Sequence, residues 1–246
     1  MIIYDSTDIA ATVQNFSSGY QKLSTEGLPP ALCAQQVVMN SPHGKVFACA
    51  FIWGSDDHET GQAYLDKIAS LGNVVMNTVG PNTVAGYLQF LKAIVPPNAY
   101  GSIETISIRE LNPEAIAVIA RNMKEMPSVD GASFVMHELR GPSAAPNSES
   151  VFGSRESHFV LEIIKTVAKK TDLKMAEDWA DTFISEVRKT DPRNILPGTY
   201  ISVTPPGSNS FENIFGSNYE TILEMKRKHD PEGTFELAQP EVNSLQ

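Results

Sequence analysis

The segment Phe215-Gly216-Ser217-Asn218-Tyr219, continuing through Lys226-Arg227-Lys228-His229 to Asp230-Pro231-Glu232-Gly233-Thr234-Phe235, reads as one complete helical unit. Ser217 has the side chain of a helix cap, and Glu220 puts a carboxylate in the first turn, beside unpaired backbone N–H groups that favour it. Leu223 follows Tyr219 by four residues and Ile222 by one, which lays an apolar stripe along one face. Lys226, Arg227 and Lys228 bring cations to the carboxyl end, and Pro231 with Gly233 stops the helix. The spacing predicts a helix over 218–228.

Upstream of this unit, helical and strand patterns alternate. Ile2 to Tyr4 is a short apolar start. Ile9, Val13, Phe16 and Tyr20 recur at helical spacing behind the capping residues Asp5 to Asp8, and Gly27, Pro29 and Pro30 end that helix. Residues 35–40 and 45–53 flank Ser41-Pro42-His43-Gly44, the pattern of a β-hairpin with a four-residue loop. Gly54-Ser55-Asp56-Asp57 leads a helix with Tyr64, Leu65, Ile68 and Leu71 on one face, and 84–94 forms another between Pro81 and Pro96. Residues 102–109 alternate as a strand. Asn112-Pro113-Glu114 then opens a helix carrying Ile116, Ile119, Ala120 and Met123, with Asn as cap and Pro at the first position. Strands are predicted at 132–139, 158–166 and 199–203, a polar loop at 141–150 and a helix at 173–187. The connections suit mostly antiparallel strands with helices packed on one face, an α+β fold. A single domain is expected over 1–237, with 238–246 as a flexible tail.

The chain has 246 residues, ample for a real core, and 41% hydrophobic with 20% charged residues is the balance of a soluble globular protein. A net charge of −10 disfavours nucleic acid and anionic membranes, both of which need clustered Lys and Arg. Cys33 and Cys49 are too few for a disulfide scaffold and would not sit opposite each other in the predicted hairpin. Met1-Ile2-Ile3-Tyr4-Asp5 is no signal peptide and no apolar run is long enough to span a membrane, so a cytoplasmic protein is expected. His43, His58, His137, His158 and His229 show no metal-ligand spacing, and no Gly-x-Ser-x-Gly elbow occurs.

The Phe215–Phe235 segment resembles the C-terminal signature of the berberine-bridge-enzyme-like oxidases, FAD-linked enzymes of the VAO/PCMH type, above all their fungal members. Val151-Phe152-Gly153-Ser154-Arg155 is similar to the family's Ala-Phe-x-His-Arg turn, with Ser154 where His is common. Tyr200-Ile201-Ser202 is similar to its Tyr-x-Asn strand, with Ser202 in place of Asn. In the family a flavin-binding domain precedes these parts, and its glycine-rich loops wrap the pyrophosphate. Here no two glycines stand two apart, and there is no Gly-Gly-His tether. The resemblance therefore covers the family's substrate-binding domain and its C-terminal segment, about 199–237 here, and implies that this chain holds no cofactor by itself.

The resemblance also implies where a site lies: the open face of the sheet, which in the family faces the flavin ring and forms the substrate pocket. Side chains alternate along a strand, so only every second residue can face it. On the later strand His158 and Glu162 share the more polar face, against Phe159, Leu161 and Ile163. On the earlier one the choice between His137 and Glu138 stays open. A histidine near a carboxylate can serve acid–base chemistry at neutral pH. The candidate catalytic residues are His137, Glu138, His158 and Tyr200, and the candidate substrate-binding residues are Arg155, Glu162 and Ser202. Arg155 reads more readily as a loop pin than as an anion ligand, and Tyr200 equally as a core tyrosine.

Three functions compete. One is a flavin-independent enzyme of fungal secondary metabolism that catalyses cyclisation, isomerisation or elimination of a small molecule. Another is the substrate-domain part of a split FAD-linked oxidoreductase. The third is a non-catalytic ligand-binding protein. A sheet face that the family covers with a second domain would be exposed here, which predicts a homodimer.

Overall fold

Helix α1 (Ile9–Glu26) starts where the Asp8 carboxylate accepts from the Ala11 N–H at 3.1 Å and ends at Gly27, whose φ of 100° few residues other than glycine adopt. Its buried residues Ile9, Val13, Phe16, Ser17 and Tyr20 lie on one face, as the spacing predicts. That face meets the first strands, β1 (Ile2–Tyr4), β2 (Leu32–Ser41) and β3 (Gly44–Trp53). The Phe16 ring sits 5.2 Å from Tyr4 and 4.9 Å from Phe47, within the range of favourable edge and tilted contacts. The structure is a computed structural model and describes residues 1–94, 99–145, 147, 150, 151, 155–198, 200–203 and 210–235. The expected tail at 238–246, Ser154 and Thr199 lie outside the described residues.

The remaining elements are α2 (His58–Ala69), β4 (Val74–Asn77), α3 (Val84–Ile94), β5 (Ile103–Ile108), α4 (Pro113–Glu125), β6 (Ser133–Leu139), β7 (His158–Ile164), α5 (Leu173–Arg188), β8 (Ile195–Leu196), α6 (Phe211–Phe215) and α7 (Tyr219–His229). The strands form one sheet of eight in the order β4-β1-β3-β2-β6-β7-β5-β8, and every recorded ladder in it is antiparallel. Helices α1, α4 and α5 cover one face, an α+β arrangement. Asn112 caps α4 at 2.8 Å from the Ala115 N–H with Pro113 following it, as the sequence indicates. The Trp179 indole of α5 donates to the Asn122 carbonyl of α4 at 3.0 Å, and Phe183 packs on Phe134 of the sheet.

Several local expectations are corrected. The β2–β3 hairpin turns on two residues, Pro42 and His43, because Ser41 and Gly44 already pair, with Gly44 at a φ of 113°. Of the strand expected at 199–203, the described residues form none: Ile201–Val203 make a short 3₁₀ turn, and Ile195–Leu196 is the strand that pairs with Ser107 and Ile108 of β5. Asn218, after a 3₁₀ turn, occupies the cap position of α7 in place of Ser217. Beyond α7, Asp230 accepts from the Thr234 and Phe235 N–H groups at 2.7 and 3.1 Å and pairs with Lys226. The C-terminal signature thus closes its helix with a carboxylate turn. Cys33 and Cys49 are free thiols on opposite faces, paired in register with Ile52 and Gln36.

Candidate functional site

Register decides which side chains share the uncovered face. Val135 of β6 is opposite Glu162 of β7 and Val37 of β2, while His137 is opposite Val160. Glu162 in turn is opposite Thr105 of β5. The uncovered face therefore carries Gln35 and Val37 on β2, Val135 and His137 on β6, Val160 and Glu162 on β7, and Thr105 on β5. The other face of the same strands carries Phe134, Met136, Phe159, Leu161 and Ile163, all buried beneath the helices.

His137 and Glu162 are diagonal neighbours across β6 and β7, close enough for side-chain contact. His137 Nε2 lies 3.3 Å from Glu162 Oε1, and the two side chains are 33% and 17% exposed. Nε2 is buried and makes no hydrogen bond, so the carboxylate is near it but off the N–H direction. On the other side of the ring, Gln35 Nε2 is 3.0 Å from His137 Nδ1. The Tyr87 hydroxyl of α3 donates to Gln35 Oε1 at 3.3 Å, and the amide NH₂ faces the histidine. Burial, and secondarily the neighbouring Cys33, push the Tyr87 phenol above its ordinary range, so it stays a donor at neutral pH. On the far side, the Tyr200 N–H donates to Thr105 Oγ1 at 3.2 Å, which brings the chain at 200 over β5.

The remaining candidates are not part of this group. Glu138 points to the helix-covered face, so of the two residues left open on this strand it is His137 that lies on the other face. It accepts from Tyr20 Oη and Ser24 Oγ, each at 2.6 Å, and from Arg140 Nε at 3.2 Å. Arg140 also donates to the carbonyls of Leu28, Pro29 and Leu32. The set ties α1 and the segment after it to the end of β6. His158 starts β7 opposite Leu139, is 3% exposed, and places Nδ1 2.7 Å from the Glu156 carbonyl, to which it donates. Burial foremost, then the Arg109 charge, hold its pKa below the usual imidazole value, so it is a neutral structural donor. Arg155 donates to Ser150 Oγ at 2.7 Å, and Asn218 at the start of α7 donates to the Ser150 carbonyl at 3.1 Å. These bonds give Arg155 the loop-pinning place. Ser202 is exposed on its 3₁₀ turn, and the Tyr200 residue is 44% exposed.

Gln35, Tyr87 and Thr105 are absent from the candidates drawn from sequence. Gln35 and His137 meet across 102 residues of chain, a pairing that no local pattern specifies. Alternation within the hairpin strand would have put Gln35 on one face with Cys33 and Val37, and that was its only local signal. Among the described residues no group of three or more His, Cys, Asp and Glu side chains could hold a metal ion. In the strands named above, the uncovered positions carry Glu162 and no lysine or arginine.

No protein-family model matches the chain, and no curated protein matches it in sequence. Solved structures match its fold. The BBE-like 1 protein of Physcomitrella patens superposes with a TM-score of 0.65 at 17% identity, over 94% of this chain and 51% of that one. The 6-hydroxy-D-nicotine oxidase of Arthrobacter nicotinovorans gives 0.66 at 12% identity, over 94% and 52%. CrmK, a flavoenzyme of caerulomycin biosynthesis, gives 0.71 at 14% identity, again over 94% and 52%. The likeness is one of fold, and the chain spans about half the length of the structures it matches. No helix among the described residues is long and apolar enough to cross a membrane.

Proposed function

We propose that the uncovered sheet face binds a small molecule and that His137 and Glu162 act on it as a donor–base pair. The observation that carries this reading is the juxtaposition of a buried, unpaired imidazole Nε2 and a carboxylate on one open face. The apolar neighbours Val37, Val135 and Val160 supply a low-dielectric wall that strengthens both groups. Glu162 removes a proton from a carbon next to a carbonyl of the substrate. His137 Nε2–H hydrogen-bonds that carbonyl oxygen while it takes up charge, and the Glu162 carboxyl, after exchanging its proton with solvent, returns a proton to another atom. No electrons are gained or lost, so the step serves isomerisation, and with a leaving group or an internal nucleophile it serves elimination or cyclisation. No flavin bound to this chain is required.

A second reading is favoured by the half-length match to flavin oxidases: this chain forms the substrate wall opposite a flavin held elsewhere. One experiment separates the two. The purified chain, without added FAD, is incubated in D₂O with a small-molecule extract of its source organism, and masses are followed. A compound that gains solvent deuterium while keeping its oxidation level, and fails to do so with Glu162→Gln, supports the acid–base reading. Loss of two hydrogens from a substrate, seen only when FAD and a flavin-binding partner are supplied, would replace it with the second.

A further inference from the structure

Along the open face, hydrogen bonds run from a helix outside the sheet to the catalytic candidate. We propose that Gln35, oriented by Tyr87 of α3, is a positioning residue that locks His137 in its Nε2–H tautomer, and that α3 thereby sets the polarity of the site. This deepens the donor–base reading above and rests on it for its functional meaning, though the tautomer itself is a separate physical fact.

A phenol with its proton retained has one hydrogen to give, and Tyr87 Oη stands 3.3 Å from Gln35 Oε1. The amide oxygen is occupied by that bond, so the NH₂ group is the part that faces the ring, 3.0 Å from Nδ1. Two N–H groups cannot point at each other without repulsion, so Nδ1 must be the acceptor and Nε2 the protonated nitrogen. A ligand at Nε2 therefore has to offer an acceptor there, and a proton to Glu162 beside it. Its matching fragment is a carbonyl flanked by an acidic C–H or by a hydroxyl. Were the amide reversed, Nε2 would become an acceptor next to a carboxylate, and the same ligand would meet two acceptors and no donor.

Tyr87 is half-buried on α3, while Val84 and Leu88 beside it on the same helix are 79% and 57% exposed. The Tyr87–Gln35 bond joins this helix to the polar row on the sheet. Any displacement of α3 frees the Gln35 amide to turn, so the placement of α3 is read out at Nδ1.

The test is ¹⁵N NMR of the labelled full chain, at a pH where the ring is neutral and with the His137 signals identified from their loss in His137→Gln. Imidazole nitrogens with and without a proton are well separated in shift, so each tautomer is read directly. In the wild type Nε2 is expected in the protonated, pyrrole-like position and Nδ1 in the unprotonated, pyridine-like one. In Gln35→Glu the replacing carboxylate can only accept, and Nδ1 is expected to move to the protonated position. In Tyr87→Phe the amide loses its anchor, and intermediate shifts from mixed tautomers are expected. A wild-type ring protonated at Nδ1, a Gln35→Glu ring unchanged from wild type, or a Tyr87→Phe ring unchanged from wild type would each overturn the proposal. Circular dichroism of each variant confirms that the fold is retained, and Gln35→Leu, which removes both amide groups, serves as the second variant with mixed tautomers expected. The measurement needs no substrate. A locked tautomer together with full turnover by His137→Gln and Glu162→Gln would leave this inference standing and refute the donor–base reading instead.

Discussion

Replacing the adjacent residues Glu138 and His137 singly by alanine should give opposite phenotypes, because consecutive strand residues face opposite sides of the sheet. Glu138 accepts two short O–H bonds, from Tyr20 and Ser24 at 2.6 Å each, and pairs with Arg140, with side-chain exposures of 9% and 13% for Glu138 and Arg140. Hydrogen bonds to a charged group contribute about 1.5–3 kcal/mol apiece. Ser24 can turn to water after the loss, but Tyr20 is buried and Arg140 keeps its charge with one partner fewer. Removing one member of such a buried pair costs about 3–5 kcal/mol. At roughly 2–4 °C per kcal/mol for a domain of this size, Glu138→Ala should lower Tm by about 6–20 °C. Glu138→Gln, which keeps one acceptor oxygen, should fall between it and wild type. His137→Ala removes a one-third-exposed ring and should change stability by no more than about 1 kcal/mol while abolishing any deuterium-exchange activity. Calorimetry or urea titration of the pair checks both values. A stable Glu138→Ala protein alongside a strongly destabilised His137→Ala protein would refute the face assignment, and the site built upon it.

Three further outcomes are expected. The folded-state pKa of His158 is depressed, so the unfolded chain takes up a proton first: stability should be complete above about pH 6.5 and be lost as pH falls below that, by up to about 1.4 kcal/mol per pH unit. The stability difference between wild type and His158→Gln should change with pH over that range, and urea titrations at several pH values that show a constant difference would contradict the assignment. Gly131 has a φ of 103° and a side-chain carbon there would stand 2.6 Å from the Thr166 carbonyl oxygen, so Gly131→Ala should cost about 2–4 kcal/mol by chemical denaturation. Tyr20→Phe should cost about 1–2 kcal/mol, less than Glu138→Ala, because Glu138 keeps Ser24 and Arg140, and the same titration measures it.

The elements with their own local signals were legible in the sequence. Helices α1, α4 and α5 announced themselves through apolar spacing, and α4 also through Asn112-Pro113. Strand β7 did so through the contrast of Phe159, Leu161 and Ile163 with His158, Val160 and Glu162. The short edge strands β4 and β8 were not legible, since four and two residues hold no period to detect. The chain at 200 read as a strand because its alternation is as good as that of β8, and only pairing with Ser107 and Ile108 makes Ile195–Leu196 the strand.

The site was half legible for the same reason. On β6 one face offers Ser133, Val135, His137 and Leu139 and the other Phe134, Met136 and Glu138, so each carries one ionisable residue and composition cannot choose. What chooses is bulk: Phe134 and Met136 fill space against Phe183 and the neighbouring helix residues, and Glu138 follows them inward because the strand leaves it no alternative. An inward carboxylate is tolerable only with partners, and Tyr20, Ser24 and Arg140 are there to supply them. The outward histidine is under no such demand from the core. It nevertheless belongs to a row of polar residues, Gln35, His137, Glu162 and Thr105, drawn from four adjacent strands and flanked by valines. The apolar side of the sheet is covered by the helices, and the opposite side is buried in part, at Ser107, Leu196 and His158. A polar row among valines on the opposite side contributes nothing to that packing, which is the physical reason to look for the function of the chain along it.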